Sequence, residues 1–417
     1  MPHDNPLVQS IGFDLLGPEF GTDVERAIQS ALADGAVFPE GADALAIFRG
    51  ALASTIRDIE NHPRGLLFQD FLRRGPYHSP GAIPPNERDQ FLTDDETAAA
   101  VRFIHAHMIN CFKGAIAELL AARACCGLLK QLQHDERASK DARLYVGDAV
   151  RARTLWRPGF RKGADLHIID RSLSGGRAVV QGVGEVKSYQ PLESRLERQL
   201  DNHLRRARRG IEICGVRYGA PDLHVEAGKG GDAARIAVVP GGWLLSRRFH
   251  FEPREGGRML IVEPTLPPRL EDAIEQTGER DWRITLRWSV EALAAAAYEV
   301  TFWYMGKVGE AIYSGNVPKD WSEMTPHEAG RNAAKMMLYA AVIRAREKDR
   351  EDEMEDTRAV ALYNSYGFGY ALGMNFRDPK GRREILFPED LDEITRDGVT
   401  VNRCRVDGFD ESEVKVS

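Results

Sequence analysis

The sequence predicts an α/β protein in which a mixed β-sheet is flanked by helices. Three observations predict this class. Stretches with apolar residues at helical spacing alternate along the chain with short, β-rich apolar runs. Between residues 95 and 245 the predicted order is helix, three strands, helix, strand. The stretch 163–189 lies at the centre of this order, where two β-rich runs flank a turn rich in Ser and Gly.

Composition limits the class of protein further. The 417 residues are 43% hydrophobic and 29% charged, which is ordinary for a globular chain. The net charge of −7 means that any nucleic-acid contact must come from a local basic patch. Five cysteines without a C-x-x-C pair predict a reduced, cytoplasmic compartment. A signal peptide and a stretch of about 18 apolar residues are both lacking, so we expect no membrane segment.

The first 95 residues predict a mainly helical N-terminal region. A short amphipathic helix is expected over 23–33, with Thr22 as its cap. A second helix is expected over 43–60, because its apolar residues recur at helical spacing. The pair His62–Pro63 should end this helix, since the residue before a proline is driven out of helical geometry.

A long helix is predicted from near residue 93 to about 133, with Gly114 as a point where it could divide. Glu118 stands inside it, within a run of small and apolar residues. A carboxylate buried there without a partner would cost free energy. Two interpretations stay open: Glu118 faces solvent, or it faces a metal site.

The hairpin 163–189 carries the residues that point to chemistry. Asp165 lies on its first run, and Glu185 and Lys187 lie on its second. Because side chains alternate between the faces of a strand, Glu185 and Lys187 share one face and Val186 takes the other. Two carboxylates and a lysine that converge at the mouth of a sheet form the layout of a magnesium site suited to phosphodiester chemistry.

A strongly charged helix follows Pro191 and should end at Gly210. Four leucines recur every four residues and predict its buried stripe: Leu192, Leu196, Leu200 and Leu204. A further buried strand is expected over 235–239.

The remainder of the chain predicts an α+β C-terminal region. Its expected strands are 249–251, 259–262 and 282–288, and its expected helices begin near 290 and 325. The sequence therefore divides into a helical region at 1–95, a core at 96–245 and a C-terminal region of unknown role at 246–417.

The motif residues resemble the PD-(D/E)xK nuclease superfamily. The resemblance is carried by Glu118 on a helix, by Ala164–Asp165, and by the E-V-K triplet that ends at Lys187. It covers about a third of the chain, and it departs from the family motif at Ala164, where a proline is usual. It implies a restriction-endonuclease-like core in which a mixed sheet is flanked by helices.

The resemblance also implies roles for these residues. Asp165, Glu185 and the Val186 carbonyl would bind Mg²⁺, with Mn²⁺ as the alternative ion. Lys187 would position the attacking water or offset charge, and Glu118 would complete the site. On the following helix, Gln199 stands where several branches of the superfamily place a Gln or Lys that faces the site.

Basic residues beside the hairpin predict contacts to a phosphate backbone. Two groups are involved, one before the hairpin and one on the helix after it: Arg157, Arg161 and Lys162, then Arg205, Arg206, Arg208 and Arg209. The alternative is a solvated helix face countered by Glu193, Glu197 and Asp201. DNA is the expected substrate, and RNA, endo- or exonuclease action and sequence specificity stay open.

Two functions remain in competition. The first is a magnesium-dependent deoxyribonuclease, which the resemblance connects with the effectors of prokaryotic antiviral defence or restriction. The second is a non-catalytic subunit that uses a degenerate nuclease fold to hold nucleic acid or a protein. The aromatic, helical C-terminal region is a candidate surface for a protein partner or activator, and a homo-oligomer stays open.

Three histidines remain beside this interpretation. His167 lies two residues after Asp165 on the same strand face, so it could reach the site, although a structural role is more common. His105 and His107 precede Cys111, but their spacing fits no standard zinc pattern and favours core packing.

Overall fold

A computed structural model defines the fold. It describes residues 6–62, 104–153, 160–172, 178–189, 191–214, 223–225, 233–241, 247–254, 257–264, 271–314, 325–327, 391–396 and 399–406. The chain folds as two compact units, each built from three separate stretches. The first unit takes Met1–Thr55, Lys113–Gly242 and Arg269–Leu293, and the second takes Ile56–Phe112, Trp243–Pro268 and Ala294–Ser417. The division at residues 95 and 245 stays a prediction.

The N-terminal helices are α1 (Pro6–Gln9), α2 (Pro18–Ala33) and α3 (Ala44–Glu60). Asp43 caps α3, because its carboxylate accepts the amides of Leu45 and Ala46 at 3.2 and 3.3 Å. The prediction that Thr22 caps α2 is wrong. The helix begins at Pro18, whose fixed φ suits a first helical position, and the Thr22 hydroxyl donates back to the Pro18 carbonyl at 2.6 Å.

The long predicted helix is confirmed in its C-terminal part. A π-helical segment, Ile104–Ile109, leads directly into α4 (Asn110–His134), and Gly114 does not divide the helix. The expected start near residue 93 lies outside the described residues. The inner side of α4 is apolar, with Ile116, Ala117 and Leu120 buried.

A six-stranded mixed sheet forms the centre of the first unit. Its strands, in spatial order, are β1 (Ala142–Val146), β4 (Leu166–Asp170), β5 (Val179–Val186), β8 (Ala234–Gly241), β12 (Asp281–Ser289) and β11 (Ala273–Gln276). Strands β5, β8 and β12 run parallel, and the remaining neighbours are antiparallel. The α/β class and the mixed sheet flanked by helices are thereby confirmed.

Two four-stranded antiparallel sheets complete the described strands. The first unit contains β3 (Phe160–Lys162), β2 (Val150–Arg153), β6 (Ile211–Ile213) and β7 (Leu223–Val225), in this spatial order. The second unit contains β13 (Leu391–Arg396), β14 (Val399–Val406), β10 (Gly257–Pro264) and β9 (Arg247–Arg254).

The central hairpin is present as predicted. Strands β4 and β5 pair antiparallel, with Leu166 opposite Gly184 and His167 opposite Val183. Gly184 is needed because a Cβ built there would lie 3.0 Å from the Leu166 Cβ, closer than packed side chains normally approach. The absence of a side chain at this position therefore gives the Leu166 side chain room on the neighbouring strand.

Helix α5 (Glu193–Ala207) covers the sheet with its leucine stripe. Leu196 and Leu200 are buried in a cluster with Ile169 and Val183, and Leu204 packs at its edge. Burial of each leucine contributes about 1.5–3 kcal/mol. Leu192, predicted to belong to the stripe, is 76% exposed. It precedes the first helical residue with an extended backbone, so its side chain does not follow the helical repeat.

The last described helix, α6 (Val290–Tyr313), matches the helix predicted from residue 290. It is rich in alanine and aromatic residues, and Val300, Phe302 and Met305 are buried. None of the helices in the described ranges has the length and apolar character that a membrane span requires. Of the helix predicted from residue 325, only positions 325–327 belong to the described residues.

Candidate active site

Glu185 is the buried carboxylate around which the candidate site is built. It lies near the carboxyl end of β5, in register with Ala237 of β8, and only 7% of it is exposed. A carboxylate removed from water costs several kcal/mol unless hydrogen bonds and charges replace its solvation. Its neighbours therefore determine whether it can keep its charge.

A lysine and a histidine, one at each carboxylate oxygen, replace the lost solvation of Glu185. The Lys187 ammonium lies 2.5 Å from Glu185 Oε1, and His203 Nε2 lies 2.7 Å from Glu185 Oε2. Both partner side chains are only 12% exposed. The predicted common face of Glu185 and Lys187 is thus observed, and the backbone amide of Lys187 is fixed by donation to the Val238 carbonyl at 2.8 Å.

These contacts set the protonation of Glu185. Burial is the largest single influence and raises the pKa of the carboxyl group. The hydrogen bonds from His203 and Lys187, with the charges behind them, outweigh burial and leave the pKa below its ordinary value. Glu185 therefore stays ionised at neutral pH, which is the form that binds a cation.

Asp165 joins this group from the neighbouring strand. Its Oδ2 accepts the backbone amide of Val186 at 2.9 Å, and its own carbonyl accepts the amide of Gly147 at 2.7 Å. Leu166 opposes Gly184 in the antiparallel register, so continuing the register by one residue brings Asp165 opposite Glu185. Directly opposed residues share a face of the sheet. The Asp165 carboxylate thus lies against the backbone of the residue that follows Glu185.

Glu118 approaches this group from α4. Its Oε2 would lie 3.7 Å from a Cβ built on Gly147, the residue whose amide binds the Asp165 carbonyl. Glu118 is half-buried. The helix thus brings the third predicted carboxylate to the turn that adjoins Asp165.

Helix α5 brings two polar side chains to the opposite border of the group. Gln199 and His203 are one turn apart, so they lie on the same side of the helix. Gln199 Oε1 and His203 Nδ1 are buried, and neither has a hydrogen-bond partner within the described part of the chain. Buried polar atoms normally have a partner or an ordered water, so each of these two atoms can accept a further partner.

His167 lies on β4, near His203. It is fully buried, and neither ring nitrogen has a hydrogen-bond partner among the residues described. Burial, followed by the nearby His203, lowers the pKa of His167 to about 3. Gly163 makes room for the ring, because a Cβ there would lie 2.7 Å from His167 Cε1. The histidine is therefore a neutral, interior neighbour of His203.

The predicted phosphate-binding residues lie in two places, on and just beyond α5 and in or before β3. On α5 and just beyond it, Arg205, Arg208 and Arg209 are exposed and Arg206 is half-buried. Arg205 also donates to the Asn202 side chain at 2.5 Å. The backbones of Arg161 and Lys162 lie in β3, paired with β2, while their side chains and all of Arg157 lie outside the described residues.

His203 is the site residue that the sequence did not single out. The chain around it reads as an ordinary charged helix, and nothing local shows that its imidazole faces Glu185. The available signal was the spacing of Gln199 and His203, one turn apart and bordering the Leu196–Leu200 stripe. A polar pair at the edge of a buried stripe lies close to the surface that the stripe covers, which here is the central sheet.

No protein-family model, curated protein or solved structure matches the chain. The candidate site therefore stands on its own geometry.

Proposed function

We propose that this protein is a Mg²⁺-dependent nuclease that hydrolyses phosphodiester bonds of DNA, on a restriction-endonuclease-like core. One observation carries the proposal: the ionised, buried Glu185 lies between Lys187 and His203, beside Asp165 at the end of the adjacent strand. Buried charged groups of this kind are often functional, because a packed apolar cluster in the same place would be at least as stable.

The residues present fit a magnesium ion in donor type. Asp165 and Glu185 offer carboxylate oxygens, the ligands that Mg²⁺ prefers, and the Val186 carbonyl directly follows Glu185 in the chain. When bound, the ion would stabilise negative charge on the phosphate and activate a water. Within the described part of the chain, no three His, Cys, Asp or Glu side chains already stand in a metal-binding arrangement. Binding would therefore require Glu185 to release or share a present partner.

The other residues have roles that follow from their contacts. Lys187 holds a compact positive charge against Glu185, where it can orient a water or offset charge on a phosphate. His203 holds the second carboxylate oxygen and so fixes the orientation of Glu185. Gln199, one turn before His203 on α5, can offer its amide, and Glu118 can orient a water from the side of α4.

A second candidate function has its own supporting observation. Both oxygens of Glu185 already contact partners, Lys187 and His203, as in a buried polar group kept only for structure. A degenerate nuclease fold that binds nucleic acid, or serves as a scaffold in a larger complex, would have this appearance. A role as the effector of a prokaryotic defence system belongs to the first candidate and rests on the resemblance alone.

Plasmid cleavage separates the two candidates. The full chain is incubated with plasmid DNA and Mg²⁺ or Mn²⁺, beside Lys187→Ala and the control Lys130→Ala, an exposed lysine of α4. We expect cleavage by wild type and control, and a rate lower by about 100-fold or more for Lys187→Ala. DNA binding is measured in parallel by fluorescence anisotropy. Intact DNA with all three proteins, despite binding by all three, favours the scaffold, and loss of binding as well would refute both candidates.

A further inference from the structure

A second group of titratable side chains lies in the second unit, apart from the site described above. Asp58 and His62 stand at the end of α3. His107 lies in the π-helical segment, and Cys111 follows one turn later at the start of α4. The sequence contains no standard zinc spacing here, because 44 residues separate His62 from His107 (107 − 62 − 1). Folding brings the two stretches together.

The distances bring three of these donors, His62, His107 and Cys111, close together. The ring centroids of His62 and His107 are 4.2 Å apart, with the rings tilted by 39°. The Cys111 Sγ lies 3.9 Å from His107 Nδ1 and 4.0 Å from Nε2. A sulfur and a nitrogen bound to the same tetrahedral zinc are separated by about 3.5 Å, given bond lengths of about 2.3 and 2.0–2.1 Å. The Cys111 Sγ is almost equally far from both ring nitrogens, so the His107 ring must turn to direct one nitrogen at an ion shared with the thiolate.

The surroundings of His107 favour its use as a ligand. The backbone of Asp58 hydrogen-bonds the His107 ring, and metal-binding histidines commonly donate their second nitrogen to a carbonyl or carboxylate in this way.

The backbone supplies an independent observation. His107 lies within Ile104–Ile109, a π-helical segment, and π-helical turns are rare and concentrate at functional sites. A widened turn rotates the residues before it relative to those that follow.

We propose that His62, His107 and Cys111, with the Asp58 carboxylate as fourth ligand, form a binding site for a divalent transition metal of the zinc class. Two imidazoles, a thiolate and a carboxylate are the donor types that such ions take from proteins. Within the described residues these side chains do not already stand in a metal-binding arrangement, and the rings of His62 and His107 are tilted against each other. The site therefore closes by rotation of the His62 side chain, which stands beyond the last residue of α3. The site goes beyond the proposed nuclease function and uses none of its residues.

Cobalt(II) is a suitable probe, because a cobalt–thiolate bond produces charge-transfer absorption in the near ultraviolet. The full chain is treated with a chelator, desalted and titrated with Co²⁺, and then with Zn²⁺ as competitor. We expect one ion per chain, a thiolate band, and displacement of cobalt by zinc. Cys111→Ser should lose the band, and His62→Ala and His107→Ala should each weaken binding by about tenfold or more.

Matched controls separate this site from other ligands. Cys214→Ser and His134→Ala remove the same residue types elsewhere and should leave band and affinity unchanged. Glu185→Gln should also leave both unchanged, so failure of the nuclease proposal does not affect this test. Circular dichroism melts confirm that each variant is folded. A wild-type chain that binds no cobalt, or a band that survives in a folded Cys111→Ser variant, overturns the proposal.

Discussion

At the scale of the residue, the negative charge of Glu185 is stabilised by neighbouring side chains and not by solvent. Lys187 and His203 each take one carboxylate oxygen. Removal of one member of a buried charged group leaves the others desolvated and unpaired, which costs more than the group contributes as a whole. The same three residues thus couple stability to the proposed chemistry.

Glu185→Gln tests that coupling, because it keeps the side-chain shape and removes the charge. We expect the free energy of unfolding in urea at pH 7 to fall by about 3–5 kcal/mol. DNA cleavage should be lost under any metal condition. Glu197→Gln, at an exposed position of α5, is the control and should change stability by less than about 0.5 kcal/mol. Equal stability of the two variants would show that the buried group contributes nothing.

Lys113 is a buried charge of a different kind. It lies on α4, is only 7% exposed, and burial lowers its pKa to about 8. The gap from an ordinary lysine pKa of about 10.4 corresponds to about 3 kcal/mol. Because the folded pKa lies below the unfolded one, the penalty is complete below about pH 8 and disappears as the pH rises toward 10.4.

Lys113→Met should therefore be more stable than wild type at pH 7, by an amount on the order of 3 kcal/mol. The advantage should shrink between about pH 8 and 10, where wild type loses the buried proton on folding. Urea unfolding of both proteins across this range measures the difference. Lys140→Met, an exposed lysine, should show no such trend. An advantage that stays constant with pH would contradict the assignment of a buried charge.

Residue-level prediction succeeded where one strand or one hairpin determines the geometry. The alternation of side chains was enough to bring Glu185 and Lys187 together, and the hairpin brought Asp165 beside them. His203 could not be predicted in the same way, because its contact depends on how α5 docks on the sheet. The meeting of His62 and His107 likewise depends on packing between distant stretches.

At the scale of the element, the periodic segments were predictable and their ends were not. The hairpin, α3, α5 and α6 lie where apolar spacing indicated them. Leu192 follows the leucine repeat but lies outside α5, so the buried stripe predicted from the repeat was one leucine too long. The π-helical turn before α4 has no counterpart in the sequence pattern, since it changes the winding of a helix without changing its composition.

Substitution of glycine by alanine should have opposite effects on stability at two positions. Gly184→Ala should destabilise by about 1–3 kcal/mol, because the new Cβ would press on Leu166 at 3.0 Å from its Cβ. Gly114→Ala should stabilise by about 0.5–1 kcal/mol, because its Cβ would meet nothing within 4 Å in the described structure and alanine favours the helix. Thermal melts of both variants test the signs. Stabilisation by Gly184→Ala would contradict the close packing of β4 on β5.

At the scale of the whole molecule, the net charge of −7 opposes binding to a polyanion. Contact with DNA must then be confined to local positive surfaces, of which the exposed Arg208 and Arg209 beyond α5 are one. Such contacts release counterions, so affinity should fall steeply with salt. The charge of the molecule thus makes the salt dependence of binding an informative measurement.

The double variant Arg208→Ala/Arg209→Ala should bind DNA more weakly at all sequences. The slope of log affinity against log salt should decrease in magnitude by about 2, one for each lost phosphate contact. Anisotropy titrations at several salt concentrations measure the slope. Arg195→Ala/Arg198→Ala removes two exposed arginines from the other half of the same helix and should change the slope less. Equal slopes for both variants would assign DNA contact elsewhere.

The interleaved order of the two units affects how the chain can be synthesised. Strand β8 ends at Gly241, but its parallel neighbour β12 begins only at Asp281, after β9 and β10 of the second unit. A ribosome adding about 5–20 residues per second needs roughly 2–8 s to cross this interval. Until then, β8 presents an unpaired edge to other nascent chains. A transcript truncated within the interval would leave that edge permanently open, and its product should aggregate or bind chaperones.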